Sequence, residues 1–145
     1  MIIEHQRVLV YRAGSIPYIV ENGQIQMLFM RPSFHEFGTF TYQIPKGKVE
    51  EDDQNHLAAA LREAKEECGL FIGNVIRTDE VGVFMGRTTI FVSKVKSKDM
   101  FGLPSDETES VKWFTPEQFQ LEGRSLHVPV VQACVRKIKQ LEGID

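Results

Sequence analysis

Short apolar runs separated by turn residues fill the first third of the chain. Arg7–Arg12 (RVLVYR) is β-branched and aromatic and predicts a strand. Pro17–Val20 and Ile25–Met30 (IQMLFM) flank Glu21-Asn22-Gly23-Gln24, turn residues that predict a hairpin. Arg31-Pro32 closes its second strand, because proline has no N–H to give to a ladder. Phe34–Phe40 is an aromatic loop, Thr41–Ile44 a short strand and Pro45-Lys46-Gly47 a turn. The period then changes. From about Asn55 to Cys68, Leu57, Ala60, Leu61, Ala64 and Cys68 recur at steps of three and four, the stripe of an amphipathic helix. Asp53 or Asn55 can cap its start, and Gly69 is the expected stop. Leu70–Ile76, Glu80–Met85 and Thr88–Val95 predict further strands, the last two joined at Gly86-Arg87. A polar loop over Lys96–Ser110 leads to a short strand, Val111–Phe114. Thr115-Pro116-Glu117 opens a helical turn, and Pro129–Leu141 is a closing helix. No repeat or linker interrupts this order, which predicts an α/β (α+β) fold with a mixed sheet between helices.

The chain has 145 residues, 42% of them hydrophobic and 26% charged, which suits one globular domain over 1–145. Its net charge of −3 gives no general basic field for nucleic acid or an acidic membrane. Cys68 and Cys134 have neither disulfide nor metal spacing and are expected as reduced packing residues. The start lacks the apolar core of a signal peptide, and no apolar run reaches membrane-spanning length. The expectation is a soluble cytoplasmic protein with no membrane partner.

The acids are unevenly placed. Glu50, Glu51, Asp52, Asp53, Glu63, Glu66 and Glu67 crowd into Gly47–Leu70, where Lys48, Arg62 and Lys65 are the only basic residues. On a helix, Glu63, Glu66 and Glu67 share one face at i,i+3 and i,i+4, off the apolar stripe and so turned outward. Like charges at those spacings repel by roughly a few tenths of a kcal/mol per pair. Three gathered carboxylates are also hard oxygen ligands of the kind magnesium or manganese prefers. Gly47 lets a loop pass close to a phosphate or metal. Arg62 can fix a carboxylate through a bidentate bond.

Arg62-Glu63-Ala64-Lys65-Glu66-Glu67-Cys68-Gly69-Leu70, led by Gly47, resembles the signature box of the Nudix hydrolases. That box reads Gly, five residues, Glu, seven residues, then Arg-Glu-apolar-x-Glu-Glu-x-Gly-apolar. The second half agrees throughout. The first half is one residue longer, so the place of the first box glutamate falls on Asp53 counted from Gly47 and on Gln54 counted back from Arg62. Tyr42–Glu50 (YQIPKGKVE) is similar to the lead-in of many members, and Asp106–Glu117 to a downstream acid-then-Trp segment.

The resemblance implies a Nudix-type α/β/α sandwich and a Mg²⁺- or Mn²⁺-dependent cleavage of a diphosphate bond in a nucleoside diphosphate derivative. Glu63, Glu66 and Glu67 would be catalytic metal ligands, with Gly47 beside the metal and Arg62 orienting them. Glu107 would be a further metal ligand or the general base. Arg31, Lys46, Lys48 and Tyr42 would bind substrate. Arg31 also reads as a surface ion pair, and Phe34, Phe37, Phe40 and Tyr42 either as base-stacking groups or as core. His5, His35, His56 and His127 form no ligand spacing. The lead-in points to dinucleoside polyphosphates, ADP-ribose-like compounds or capped RNA ends. Nucleic acid is a partner only in the capped-RNA case, and a homodimer stays open. Nucleoside triphosphate pyrophosphatase and a non-catalytic nucleotide-sensing module are the alternatives.

Overall fold

A computed structural model describes residues 9–34 and 40–145. The first residues of the predicted Arg7–Arg12 strand, most of the Phe34–Phe40 loop including Phe37, and His5 and His35 lie outside the described residues. The first strand starts at Arg12 rather than ending there, and runs unbroken past Pro17. β1 spans Arg12–Glu21, β2 Gln24–Pro32 and β3 Lys46–Lys48. The turn between β1 and β2 is as expected: Asn22 and Gly23 have φ of 53° and 75°, the left-handed pair that matches strand twist in a tight hairpin.

Pro17 survives inside β1 because the strand changes partners there. β3 pairs antiparallel with Arg12–Gly14, whereas β2 pairs with Tyr18–Glu21. Pro17, with no N–H to offer, falls in the interval between them. Pro45-Lys46-Gly47, expected as a turn, therefore leads into a strand. The expected strand Thr41–Ile44 reduces to single bridges at Tyr42 and Gln43.

α1 covers His56–Cys68. Asn55 rather than Asp53 caps it: the Asn55 carboxamide oxygen accepts the Ala58 N–H at 2.8 Å. Gly69, at φ 77°, ends it. Replacing Asn55 by alanine is expected to cost about 1 kcal/mol, the usual loss of an N-cap. A urea unfolding curve with an unchanged midpoint would show that the cap carries no stability.

Leu70–Ile76 is not a strand; a 3-10 turn over Ile72–Asn74 leads into β4 (Val75–Phe84), which absorbs the predicted Glu80–Met85 strand. β5 is Thr88–Val95 as predicted, and β6 begins earlier than expected, at Thr108, and ends at Phe114. α2 (Pro116–Glu122) is capped by Thr115, whose hydroxyl accepts the Gln118 N–H, and α3 is Val128–Glu142.

The sheet order is β4-β5-β1-β2-β6, with β3 beside β1. β1 and β5 run parallel and the other pairs are antiparallel, so the sheet is mixed. Strand alternation sorts the core into two layers. Ile16, Tyr18, Met27, Phe29, Ile90 and Val92 face α3 and Phe119 of α2. Ala13, Leu28, Met30, Phe91 and Val95 face α1 and the residues around it. The α1 stripe differs in one respect from its sequence pattern. Ala59 is fully buried, which lets the helix lie close to Ala13, while Leu57 stays exposed. Cys68 and Cys134 are buried free thiols, as expected.

Candidate functional site

Three elements meet at the N-terminal half of β1: the strand β3, the loop that follows it, and α1. Gly47 makes the closest approach. A Cβ placed there would collide with the carboxyl group of Glu63, so only glycine leaves that carboxylate its place. Glu63 is consequently buried, at 9% exposure. This corrects the expectation that all three box acids face outward. Glu66 is exposed and Glu67 half-buried, so the acidic face is tilted against β3 rather than turned to solvent.

Arg62 organises the acids. Its guanidinium grips Asp53 with two bonds, Nε to Oδ1 at 3.0 Å and Nη2 to Oδ2 at 2.8 Å. Nη1 donates to Glu63 Oε1 at 2.9 Å and lies 3.4 Å from Glu66 Oε1. Nη2 also donates to the Lys48 carbonyl at 3.0 Å, and Glu50 lies 3.9 Å from Nη1. A planar five-donor group suits this fan of acceptors where a lysine would not. Asp53, displaced from the box spacing, thus enters the site as the partner of Arg62. The Asp53 Oδ2 also accepts the Glu50 N–H at 2.8 Å, which ties off the longer loop. The Arg62 bonds, then the backbone at Glu50, hold the Asp53 carboxyl down to about 2. The same pairing, Asp53 first, raises Arg62 further above its usual range.

Glu67 is placed from the other side. Its Oε2 accepts the Lys46 backbone N–H at 2.6 Å. Burial, with the charges of Glu63 and Glu107 added, pushes its carboxyl up to about 8 against the opposing pull of Lys46. Glu63 is raised as well, burial outweighing Arg62. The two acids therefore sit in a site with more negative charge than its own cations neutralise. That surplus, and an all-oxygen donor set, fit a divalent cation. Among the described residues, however, no three His, Cys, Asp or Glu side chains are already gathered as a metal cage.

Glu107 reaches this neighbourhood because its loop is sewn to the end of α1. Ser105 N–H donates to the Glu66 carbonyl at 2.7 Å, and the Thr108 hydroxyl to the Glu67 carbonyl at 2.9 Å. These bonds also satisfy carbonyls that the last helical turn leaves open. Neither Ser105 nor Thr108 carries a motif signal; their role depends on a loop docking that no spacing encodes.

Arg31 and Tyr42 form a separate group. Arg31 pairs with Glu109 at 3.3 Å and its guanidinium lies 5.4 Å from the Tyr42 ring centroid. The Tyr42 hydroxyl is 2.8 Å from Ser110 Oγ, and its ring packs edge-on against Phe114. Tyr42 is therefore partly core. Phe34 and Phe40 are exposed. Lys46 is half-buried and Lys48 exposed. Of the histidines, His56 is bonded to Thr89 Oγ1 at 2.9 Å and His127 is buried.

Comparison with known proteins bears on the family and the fold. The NUDIX domain profile matches residues 11–134. A search of curated proteins finds no match. Among solved structures, a C. elegans Ap4A hydrolase binary complex superposes with a TM-score of 0.71 at 20% identity, over 91% of this chain and 99% of that one. The NUDIX domain of Shewanella oneidensis NrtR, complexed with ADP ribose, gives a TM-score of 0.71 at 11% identity, over 92% and 90%. A Nudix hydrolase from M. smegmatis, RenU, gives 0.67 at 15% identity, over 88% and 86%. At these identities the likeness is one of fold.

Proposed function

Because the chain belongs to the NUDIX domain family, we propose that it is a magnesium- or manganese-dependent hydrolase that cleaves a diphosphate bond in a nucleoside diphosphate derivative. The observation that carries this reading is the Arg62 fan. Asp53 anchors the guanidinium, and the guanidinium spreads Glu63 and Glu66 along the face that Glu67, held by the Lys46 amide of β3, completes. A solvated helix face would have no use for a glycine fitted against one carboxylate and a backbone amide bound to another.

Glu63, Glu66 and Glu67 would hold the cation, with Gly47 beside it and Glu107 on the rim. Bound there, a divalent ion supplies charge neutralisation for the phosphates and a more acidic water. The protein's own contribution is positional. Arg62 fixes Glu63; the Lys46 amide fixes Glu67; the loop bonds of Ser105 and Thr108 hold Glu107 within reach. In the reaction, water adds to a phosphorus, one carboxylate of this group takes its proton, and the P–O bond to the bridging oxygen breaks. Both products leave as phosphate-bearing groups. Arg31, Tyr42, Lys46 and Lys48 are the proposed substrate contacts, with the Arg31–Tyr42 pair able to offer a cation and a ring to a base.

Ap4A hydrolase and an ADP-ribose-bound domain among the structural neighbours direct the substrate choice to dinucleoside polyphosphates and ADP-ribose-like compounds. A panel of these, capped RNA, nucleotide sugars and nucleoside triphosphates, assayed with and without magnesium, tests the reading. Magnesium-dependent release of phosphate-bearing products from at least one class is expected. Tight binding with no turnover of any would instead make the protein a nucleotide sensor.

A further inference from the structure

Asp106 and Glu107 are the central pair of a β-turn, in which the Thr108 N–H donates to the Ser105 carbonyl at 3.0 Å. Both ends of that turn are tied to α1, Ser105 through its N–H to the Glu66 carbonyl and Thr108 through its hydroxyl to the Glu67 carbonyl. The middle, where the acid sits, is left to something else. The turn's own bond uses neither of the two central carbonyls, so another element or water must satisfy them.

Ser33 takes both. Its hydroxyl donates to the Asp106 carbonyl at 2.8 Å, and its N–H donates to the Glu107 carbonyl, also at 2.8 Å. The strands explain how one residue reaches the two. β2 pairs with β6 in steady register from Met27 opposite Phe114 to Arg31 opposite Ser110, and the partner of Pro32 is then Thr108. Glu109 is thus an extra residue on β6, a bulge of the kind that bends a strand and re-aims its neighbours. Pro32 has no N–H to donate, and the next residue, Ser33, makes the bond that closes the ladder. Its hydroxyl adds the bond to the adjoining carbonyl.

The two acids beside the bulge are used differently. Glu109 is committed to Arg31 at 3.3 Å. Glu107 is exposed, and among the described residues no cation pairs with its carboxylate. It still stands near enough to Glu67 for the two charges to act on each other. Its backbone is held by two elements and its side chain by none. An acid that served only solubility would need no such clamp. One presented to a bound group gains from it, because the placing is already done in the fold.

We propose that Ser33 is a positioning residue for Glu107: by holding the two central carbonyls of the turn it sets how the Glu107 carboxylate stands towards Glu67. The end of β2 then places Glu107 together with α1, and the acids of the helix and of the loop share one frame. The catalytic consequence rests on the hydrolase reading above; the clamp does not.

Ser33→Ala tests this, since it deletes the hydroxyl and keeps the N–H. The bond lies at the surface and contributes little to folding, so the melting temperature should stay level. With magnesium and a substrate that the panel above identifies, kcat should fall about tenfold while KM stays within about twofold, a loss of placement rather than of binding. Ser33→Thr keeps the hydroxyl and should recover most of the rate. In a Glu107→Gln chain, Ser33→Ala should cost nothing further, because the group it positions has already lost its charge. Amide exchange, read without metal or substrate, should quicken across residues 105–108 in Ser33→Ala and not in Glu107→Gln. The proposal is overturned if Ser33→Ala slows the Glu107→Gln chain by the same factor, raises KM alone, or leaves exchange in the turn unchanged. A chain that hydrolyses nothing would remove the hydrolase, and exchange would then decide the clamp by itself: quickened exchange keeps it, and unchanged exchange removes it.

Discussion

Glutamine at position 67 is expected to lower kcat by about two to four orders of magnitude, the range that acid–base groups supply. The substitution is chosen to change charge and little else. Glu67 Oε2 accepts the Lys46 N–H at 2.6 Å, and a carboxamide oxygen can accept the same bond. What glutamine lacks is the ionised form, and that form is the one the structure has made costly. Burial and the nearby Glu63 and Glu107 charges push the carboxyl up to about 8. A group kept in so unfavourable a setting is a candidate for function, which on the reading proposed above is the binding of a cation. Two readouts should therefore move in opposite directions. Turnover falls, while the metal-free melting temperature stays level or rises, because the cost of protonating or burying that carboxyl on folding has been removed. Added magnesium should raise the melting temperature of the unaltered chain by ligand linkage and that of Glu67→Gln by much less. Full activity in the variant would sink the assignment of Glu67 as a ligand.

The parts of this site legible in the sequence are those set by helical spacing. Arg62, Glu63, Glu66 and Glu67 lie within six consecutive residues, so a helix alone brings them together, and the capping chemistry of Asn55 and Gly69 says where that helix begins and ends. Strand period does the same for β2 and β5, whose alternating residues face two different layers. What could not be read is what depends on meetings between distant elements. Glu63 looks outward on a helical wheel because the wheel contains no β3; it is buried because Gly47 comes up against it. Asp53 resembles a cap by position, but the guanidinium nine residues on claims both its oxygens. Pro17 argues for a break in β1, and only the exchange of β3 for β2 along its edge explains why there is none.

Alanine at Gly47 is the second large effect, and it separates a fitted glycine from a merely flexible one. The added methyl would occupy the place of the Glu63 carboxyl group. Either β3 lifts from α1 or Glu63 swings away, and each route breaks something else. Lifting β3 pulls the Lys46 N–H from Glu67 and the Lys48 carbonyl from Arg62. Swinging Glu63 breaks its 2.9 Å bond to Arg62 and leaves a buried carboxylate without its partner. Overpacking of this kind typically costs about 1–3 kcal/mol, which a melting curve will show. The activity should fall further than stability does, by about a hundredfold or more well below the melting temperature, since sub-ångström placement of a catalytic shell governs rate. Gly73→Ala is the control, because a Cβ there meets nothing within 4 Å and neither readout should change. If Gly47→Ala behaved like Gly73→Ala, the carboxylate of Glu63 would have no need of the place that the glycine keeps open, and Glu63 would lose its claim to a role in the site.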